Sequence, residues 1–96
     1  MLILDKVNYL SKYLIEEASA ISSSAKNLDD KEVGKALALL DKCSKYKLKV
    51  IVSGVGKSGI VARKIAATFS SVGLTSIYLN PLDALHGDIG IVNKND

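Results

Sequence analysis

The segment that most constrains the fold is a short apolar run followed immediately by a glycine-rich turn. Residues 49–53 read KVIVS, an apolar, β-branched run typical of a strand buried on both faces of a parallel sheet, and residues 54–59 read GVGKSG. Apolar positions at helical spacing follow from Val61 to Val72, and Gly73 is placed to end that helix. A second strand is predicted over residues 76–80, which read SIYLN. Strand, turn, helix and strand predict a βαβ unit, and hence an α/β domain with a parallel sheet.

A long amphipathic helix is predicted at the N-terminus. Apolar residues recur at spacings of three and four along residues 7–28, so they share one face of a helix. Four of them also repeat every seven residues: Val7, Leu14, Ile21 and Leu28. That period lets one helix lie along another, which favours a partner subunit, although packing within its own domain is an equally open interpretation.

A second helix is predicted to begin near Asp29, because Glu32 follows three residues later as in a capping box. Its predicted buried face consists of Val33, Ala36, Leu37, Leu40 and Cys43. We therefore divide the chain into N-terminal helices, residues 1–46, and a domain that begins at residue 47 and runs to residue 96.

The composition of the chain excludes several classes of protein. Thirteen basic and ten acidic side chains are spread along the sequence, so the net charge of +3 makes no concentrated basic patch for nucleic acid. The single cysteine, Cys43, has no second cysteine to pair with, and we interpret it as a core residue in a reducing compartment. No apolar run reaches the roughly 20 residues of a membrane span. We expect a cytoplasmic protein that binds neither nucleic acid nor membranes.

The glycine turn is the strongest indication of a binding site. A turn between a strand and a helix directs backbone N–H groups at the positive end of the helix dipole, where a phosphate can bind. Gly54, Gly56 and Gly59 permit a tight turn and close approach to a ligand, Lys57 adds a cation, and Ser58 offers a hydroxyl and an N-cap. The alternative is that the glycines only shape the turn and Ser58 only caps the helix.

The glycine turn partly matches two nucleotide-binding patterns. A Walker A loop that ended at Gly56, Lys57 and Ser58 would require a glycine at position 51, which is Ile51, so ATP or GTP binding is not expected. The dinucleotide fingerprint matches the glycine spacing but also requires an acid at the end of the second strand, where Asn80 stands. Because Asp83 follows closely, a dinucleotide-binding unit stays open as an alternative.

Three stretches resemble the sugar isomerase (SIS) domain of arabinose-5-phosphate isomerases. They are residues 52–59, VSGVGKSG, residues 66–73, AATFSSVG, and residues 80–90, NPLDALHGDIG. The resemblance extends from Val50 to the end, about half of the chain, and the combination of the glycine turn with the HGD segment is specific to that branch of the fold. It implies a three-layer, parallel-sheet domain of the flavodoxin or Rossmann-like type, preceded here by two N-terminal helices.

The resemblance also implies roles for matching residues. Lys57 and Ser58 would contribute to a sugar-phosphate site that Gly56 and Gly59 shape, and His86 would serve in proton transfer or hold a metal ion. His86 is the single histidine and follows the second strand, where ligands of parallel sheets gather, although a lone histidine is also common as a surface or capping residue. The neighbouring Asp88 would either orient the imidazole or, as we favour, cap the next turn.

The implied reaction interconverts D-arabinose 5-phosphate and D-ribulose 5-phosphate in 3-deoxy-D-manno-octulosonate synthesis for lipopolysaccharide or capsule. It requires no cofactor, and the family resemblance implies a tetramer. The family pattern continues with a third strand and a phosphate loop that carries a catalytic carboxylate, and this sequence ends before them. We therefore expect the chain to be inactive alone, and a sugar-phosphate binding module without catalysis is a further alternative.

Overall fold

A computed structural model describes residues 2–96, which divide into two compact units, one that ends at Gly34 and one that covers Lys35–Asp96. The helices are α1 (Ile3–Lys26), α2 (Asp30–Lys45), α3 (Lys57–Ser71) and α4 (Pro81–Leu85), and a 3₁₀ turn covers Asp88–Ile91. The strands are β1 (Val50–Val52) and β2 (Ser76–Tyr78). The predicted domain boundary after residue 46 stays a prediction.

The predicted N-terminal helix is confirmed, but it begins earlier than its apolar stripe and ends at Lys26, so Leu28 lies outside it. Asp5 accepts a hydrogen bond from the backbone N–H of Leu2 at 3.2 Å, which extends the first turn to Ile3. No described residue of α1 is buried, and Leu14 and Ile21 of the stripe are 68% and 71% exposed. Within the described residues the stripe is therefore left uncovered.

Capping interactions define both ends of α2. The predicted cap at Asp29 is confirmed, because its Oδ1 accepts from the N–H of Glu32 at 3.0 Å. At the other end Lys47 has a φ of 54°, and the N–H of Leu48 donates to the carbonyl of Cys43 at 2.8 Å, as in a Schellman motif.

The predicted buried face of α2 is only partly correct. Val33, Leu40 and Cys43 are half-buried, whereas Ala36 and Leu37 are exposed. Cys43, interpreted from the sequence as a core residue, is half-buried. Within the described residues the apolar face of α2 borders an open groove beside β1 rather than a closed core.

The two strands pair in parallel, as predicted, and Val50, Ile51 and Val52 lie opposite Ser76, Ile77 and Tyr78. The N–H of Val50 donates to the carbonyl of Thr75 at 2.9 Å, and the N–H of Leu79 donates to that of Val52 at 2.9 Å. Each strand is shorter than predicted and half-buried, so β1 is not buried on both faces. The reason is that a sheet of two strands, as the described residues form, has too little surface to enclose either one.

Helix α3 packs on the sheet through small side chains. Ala62 and Ala66 are 3% and 5% exposed, Gly59 is buried, and Phe69 is half-buried. These four residues recur at spacings of three and four, so they form one stripe along the helix. The predicted members Val61, Ile65 and Val72 are exposed instead, because the stripe that meets two strands is narrow.

Gly73 ends α3 as predicted, with a φ of 88°. Its N–H and that of Leu74 donate to the carbonyls of Ser70 and Phe69. Among residues 2–96 no helix is both long and apolar enough to cross a membrane.

Candidate functional site

The glycine turn brings the end of β1 into backbone contact with the first turn of α3. A Cβ atom at Gly54 would lie 2.8 Å from the carbonyl carbon and oxygen of Ser58, and one at Gly59 would lie 2.7 Å from the carbonyl oxygen of Gly54. Neither position therefore accommodates a side chain unless the backbone moves. Gly56 has a φ of 60° and a ψ of −127°, a conformation that glycine adopts readily and other residues avoid. The three glycines of the predicted site are thus explained by the geometry of the turn.

The turn leaves a run of backbone donors without partners. The N–H groups of residues 55–59 make no hydrogen bond with any other described residue, and the first donor of the helix that is paired belongs to Ile60, which bonds the carbonyl of Gly56 at 3.3 Å. These groups lie at the N-terminus of α3, where the helix dipole favours an anion.

Ser58 does not cap the helix, contrary to the sequence-based alternative. The cap position belongs to Gly56, the helix begins at Lys57, and no side chain completes the cap. Ser58 is the second residue of α3, so it does not occupy the cap position from which a side chain accepts bonds from the first free N–H groups of a helix. Among the described residues, the ammonium of Lys57 has no ion-pair partner and the hydroxyl of Ser58 makes no hydrogen bond.

The predicted site residues of the turn line two different depressions. Lys57 and Ser58 border a groove of about 340 Å³ that also includes Ser53 and Val61. Gly54, Gly56 and Gly59 border a cleft of about 440 Å³, which we call the Arg63 cleft. Its other lining residues are Val55, Ile60, Arg63, Tyr78, Asn80, Pro81, Leu82 and Leu85.

Arg63 and Tyr78 were missed by the sequence analysis. Arg63 is the one charged residue that lines the cleft, and its guanidinium carbon lies 4.8 Å from the centroid of the Tyr78 ring. The Tyr78 hydroxyl donates to the carbonyl of Gly54 at 3.1 Å. The sequence contained two indications that these residues lie near the turn. Arg63 follows Gly59 by one helical turn, and Tyr78 ends the second strand.

The residue after β2 has a structural role. The Oδ1 atom of Asn80 accepts from the N–H groups of Leu82 and Asp83 at 2.9 and 3.3 Å, and so caps α4. A dinucleotide site calls for an acid near this position. Asp83 instead lies in the first turn of α4 and does not line the cleft.

His86 follows α4 and is exposed, with its backbone N–H donating to the carbonyl of Asp83 at 3.0 Å. Its imidazole makes no hydrogen bond with a described residue, and it does not line the Arg63 cleft. The expectation that Asp88 caps the next turn is wrong, because Gly87 occupies the cap position with no side-chain bond. Asp88 does not orient the imidazole either.

A metal site at His86 finds no support in the surrounding residues. Among residues 2–96, no three histidine, cysteine, aspartate or glutamate side chains form a group that could hold an ion.

Sequence comparison relates the chain to curated isomerases. It is 40% identical over 83 residues to arabinose 5-phosphate isomerase KpsF of Escherichia coli O6:H1, a match that covers 86% of this chain and 24% of KpsF. It is 41% identical over 71 residues to arabinose 5-phosphate isomerase KdsD of Francisella tularensis, which covers 74% of this chain and 22% of KdsD. The chain thus spans about a quarter of the length of these relatives. No protein-family model matches it.

Structure comparison agrees with these relationships. An Escherichia coli CFT073 protein solved in complex with arabinose 5-phosphate superposes with a TM-score of 0.83 at 35% identity, and the match covers this whole chain and 49% of that one. A Bacteroides fragilis protein described as a phosphosugar isomerase involved in capsule formation gives 0.82 at 36% identity, covering 95% of this chain and 46% of its own.

The parallel βαβ unit and its glycine turn define an α/β protein of the sugar isomerase (SIS) domain family, and the chain belongs to that family. Within the family its homologues are arabinose 5-phosphate isomerases, of which it corresponds to an N-terminal part. The predicted resemblance and fold class are confirmed.

Proposed function

We propose that this chain contributes to the binding and isomerisation of D-arabinose 5-phosphate and D-ribulose 5-phosphate. The observation that carries the proposal is the run of unpaired N–H groups at residues 55–59 beside the unpaired ammonium of Lys57. Homology to arabinose 5-phosphate isomerases supplies the substrate class.

The chemistry of the turn suits an anionic sugar derivative. Each N–H group can donate to a phosphate oxygen or a sugar hydroxyl, and donors to a charged oxygen bind more strongly than donors to a neutral one. The absence of partners means that no internal bond has to break before the ligand binds. Lys57 then adds one full positive charge at the first position of α3.

The isomerisation moves a proton between adjacent carbons through an enediol, so it requires a base and a group that stabilises negative charge on oxygen. We assign Lys57 and His86 to proton transfer and to the stabilisation of negative charge on oxygen. The His86 ring is exposed with no internal hydrogen bond to break. Gly54, Gly56, Ser58 and Gly59 complete the proposed binding turn.

The proposal includes four expectations that follow from the family. The reaction needs no redox or nucleotide cofactor, the assembly is a homo-oligomer, the protein acts in the cytoplasm, and the product serves 3-deoxy-D-manno-octulosonate synthesis. A role in envelope sugars agrees with the Bacteroides fragilis relative, which is described as involved in capsule formation.

Thermal unfolding in the presence of candidate ligands tests the proposed function, because a ligand selective for the folded state raises the midpoint by mass action. The ligands are arabinose 5-phosphate, ribulose 5-phosphate, NAD and ATP. We expect a shift with the two pentose phosphates alone. A shift with NAD alone would instead favour a dinucleotide-binding unit.

The Lys57→Ala variant tests the assignment of the site. Loss of the ammonium should weaken binding of arabinose 5-phosphate at least tenfold, because a charge-assisted contact contributes roughly 1.5–3 kcal/mol. Lys64→Ala is the matched control, since Lys64 lies on the same helix and lines neither depression. Equal affinities for the two variants would contradict the assignment. If the protein binds arabinose 5-phosphate but shows no turnover in any assembled form, the alternative of a sugar-phosphate binding module without catalysis would hold.

A further inference from the structure

We propose that Tyr78 is a positioning residue for the glycine turn, and that its hydroxyl sets the direction of the N–H groups that receive the ligand. The inference rests on the proposed function, because it concerns the same turn. It adds a residue from the second strand, outside the motif that indicated the site.

The hydroxyl of Tyr78 fixes one peptide plane of the turn. It donates to the carbonyl oxygen of Gly54 at 3.1 Å. A trans peptide is planar and its C=O and N–H bonds point in opposite directions. Holding the Gly54 oxygen toward Tyr78 therefore directs the N–H of Val55 to the opposite side. Val55 supplies the first of the unpaired donors, and the conformation of the turn orients the rest.

Gly59 closes this arrangement from the helix side. A Cβ there would lie 2.7 Å from the Gly54 oxygen and 3.0 Å from the Tyr78 hydroxyl. The hydroxyl, the carbonyl and the helix backbone thus meet at one point. The hydroxyl of Tyr78 therefore bonds the glycine turn at the place where that turn contacts the first turn of α3.

Two features hold the tyrosine itself in place. Its backbone is the partner of Val52 in the parallel register, two residues before the turn. Its ring lies under the guanidinium of Arg63, with 4.8 Å between the guanidinium carbon and the ring centroid. The Arg63 guanidinium makes no hydrogen bond or ion pair with another described residue, so this stacking is its observed interaction.

Isothermal titration calorimetry on the Tyr78→Phe variant tests the proposal at a temperature where every variant is folded. Removal of the hydroxyl should raise the Kd for arabinose 5-phosphate about tenfold, because the free Gly54–Val55 peptide must then be ordered by the ligand. Arg63→Met should raise it about threefold by loosening the ring. A merely structural role would lower the Tm of Tyr78→Phe and leave the Kd of the folded protein unchanged, which would overturn the proposal.

Tyr46→Phe is the matched control. The ammonium of Lys45 lies 5.4 Å from the centroid of the Tyr46 ring, so this tyrosine also carries a cation on its face. Its hydroxyl makes no hydrogen bond with a described residue. We expect an unchanged Kd, and an increase equal to that of Tyr78→Phe would contradict the proposal.

The amide NMR signals of Val55 and Gly56 separate this inference from the proposed function. If the wild-type chain binds no pentose phosphate, the proposed function fails, yet Tyr78→Phe should still displace these two signals while Tyr46→Phe does not. Signals that stay in place in both variants would overturn the positioning role whether or not a ligand binds.

Discussion

Glycine residues in this chain have opposite effects on stability, depending on what surrounds them. Gly59 is buried and a Cβ there would lie 2.7 Å from a carbonyl oxygen, whereas a Cβ on Gly34 would meet no atom within 4 Å. Gly34 lies inside α2, where glycine is a poor helix former. The same residue type is therefore required at one position and costly at the other.

We expect Gly59→Ala to reduce the free energy of unfolding by about 1–3 kcal/mol, because the backbone of α3 must move away from the turn. Gly34→Ala should increase it by about 0.5–1 kcal/mol through helix propensity. Urea unfolding of both variants measures the two changes. Effects of the same sign would show that the contact between turn and helix is looser than described.

Lys47 adopts a left-handed conformation that usually belongs to glycine. With a φ of 54°, it occupies the position after the C-cap of α2. We expect Lys47→Gly to stabilise the protein by about 1 kcal/mol, because a non-glycine residue costs roughly that much there. Lys42→Gly, inside the helix, should destabilise it by about 1 kcal/mol. Urea unfolding of the two variants distinguishes relief of backbone strain from loss of a lysine. Only relief of strain predicts stability changes of opposite sign for Lys47→Gly and Lys42→Gly.

At the scale of elements, α1 presents an apolar stripe that the described residues do not cover. Val7, Leu14 and Ile21 are 52%, 68% and 71% exposed. Their spacing of seven residues suits contact with another helix. The exposure leaves both interpretations open, contact with a partner subunit and packing within the same domain.

The Leu14→Asp variant tests the partner-subunit interpretation by light scattering. A charge at the centre of the stripe should shift the protein toward monomer, because burying an unpaired carboxylate in an apolar interface is costly. Ser19→Asp adds the same charge on the other side of α1 and should leave the mass unchanged. A Leu14→Asp protein with the wild-type mass would exclude the stripe as an assembly surface.

At the scale of the whole molecule, one carboxylate connects distant parts of the second unit. Asp96 accepts from the backbone N–H groups of Asn93 and Lys49 at 2.8 and 3.0 Å and pairs with the Lys49 ammonium at 2.9 Å. Its side chain is 2% exposed. The bond from Asn93, followed by that from Lys49, lowers the pKa of Asp96 from 3.8 to about 2. The residue thereby connects Asn93 to Lys49, which directly precedes β1.

This lowered pKa predicts a loss of stability in acid. Since the unfolded chain takes up the proton at a higher pH than the folded one, the contribution of Asp96 is complete above pH 4 and is lost as the pH falls toward about 2. Urea unfolding across that range should show a steeper decline for the wild type than for Asp96→Asn. Lys49→Met should retain part of the decline, because the Asn93 bond remains. Equal slopes for the wild type and Asp96→Asn would remove Asp96 as the cause.

The sequence alone determined the order and type of the elements from α1 to β2, because these depend on local periodicity and on capping residues, whereas α4 and the 3₁₀ turn were not predicted. The seven- and three-to-four-residue spacings defined the helices, Asp29 and Gly73 marked helix ends, and the apolar run before Gly54 indicated a parallel strand. The family resemblance is equally local, since it lies in the glycine turn and the segment around His86.

Only the tertiary structure decided which residues meet around the turn. Tyr78 bonds to a carbonyl 24 residues earlier in the chain, and whether its hydroxyl reaches Gly54 depends on the register of two strands. The separation of Lys57 from the Arg63 cleft depends on how α3 is rotated against the sheet. Neither the register of the strands nor the rotation of α3 has a local periodic signal in the sequence, because both arise from the packing of elements that are distant in sequence.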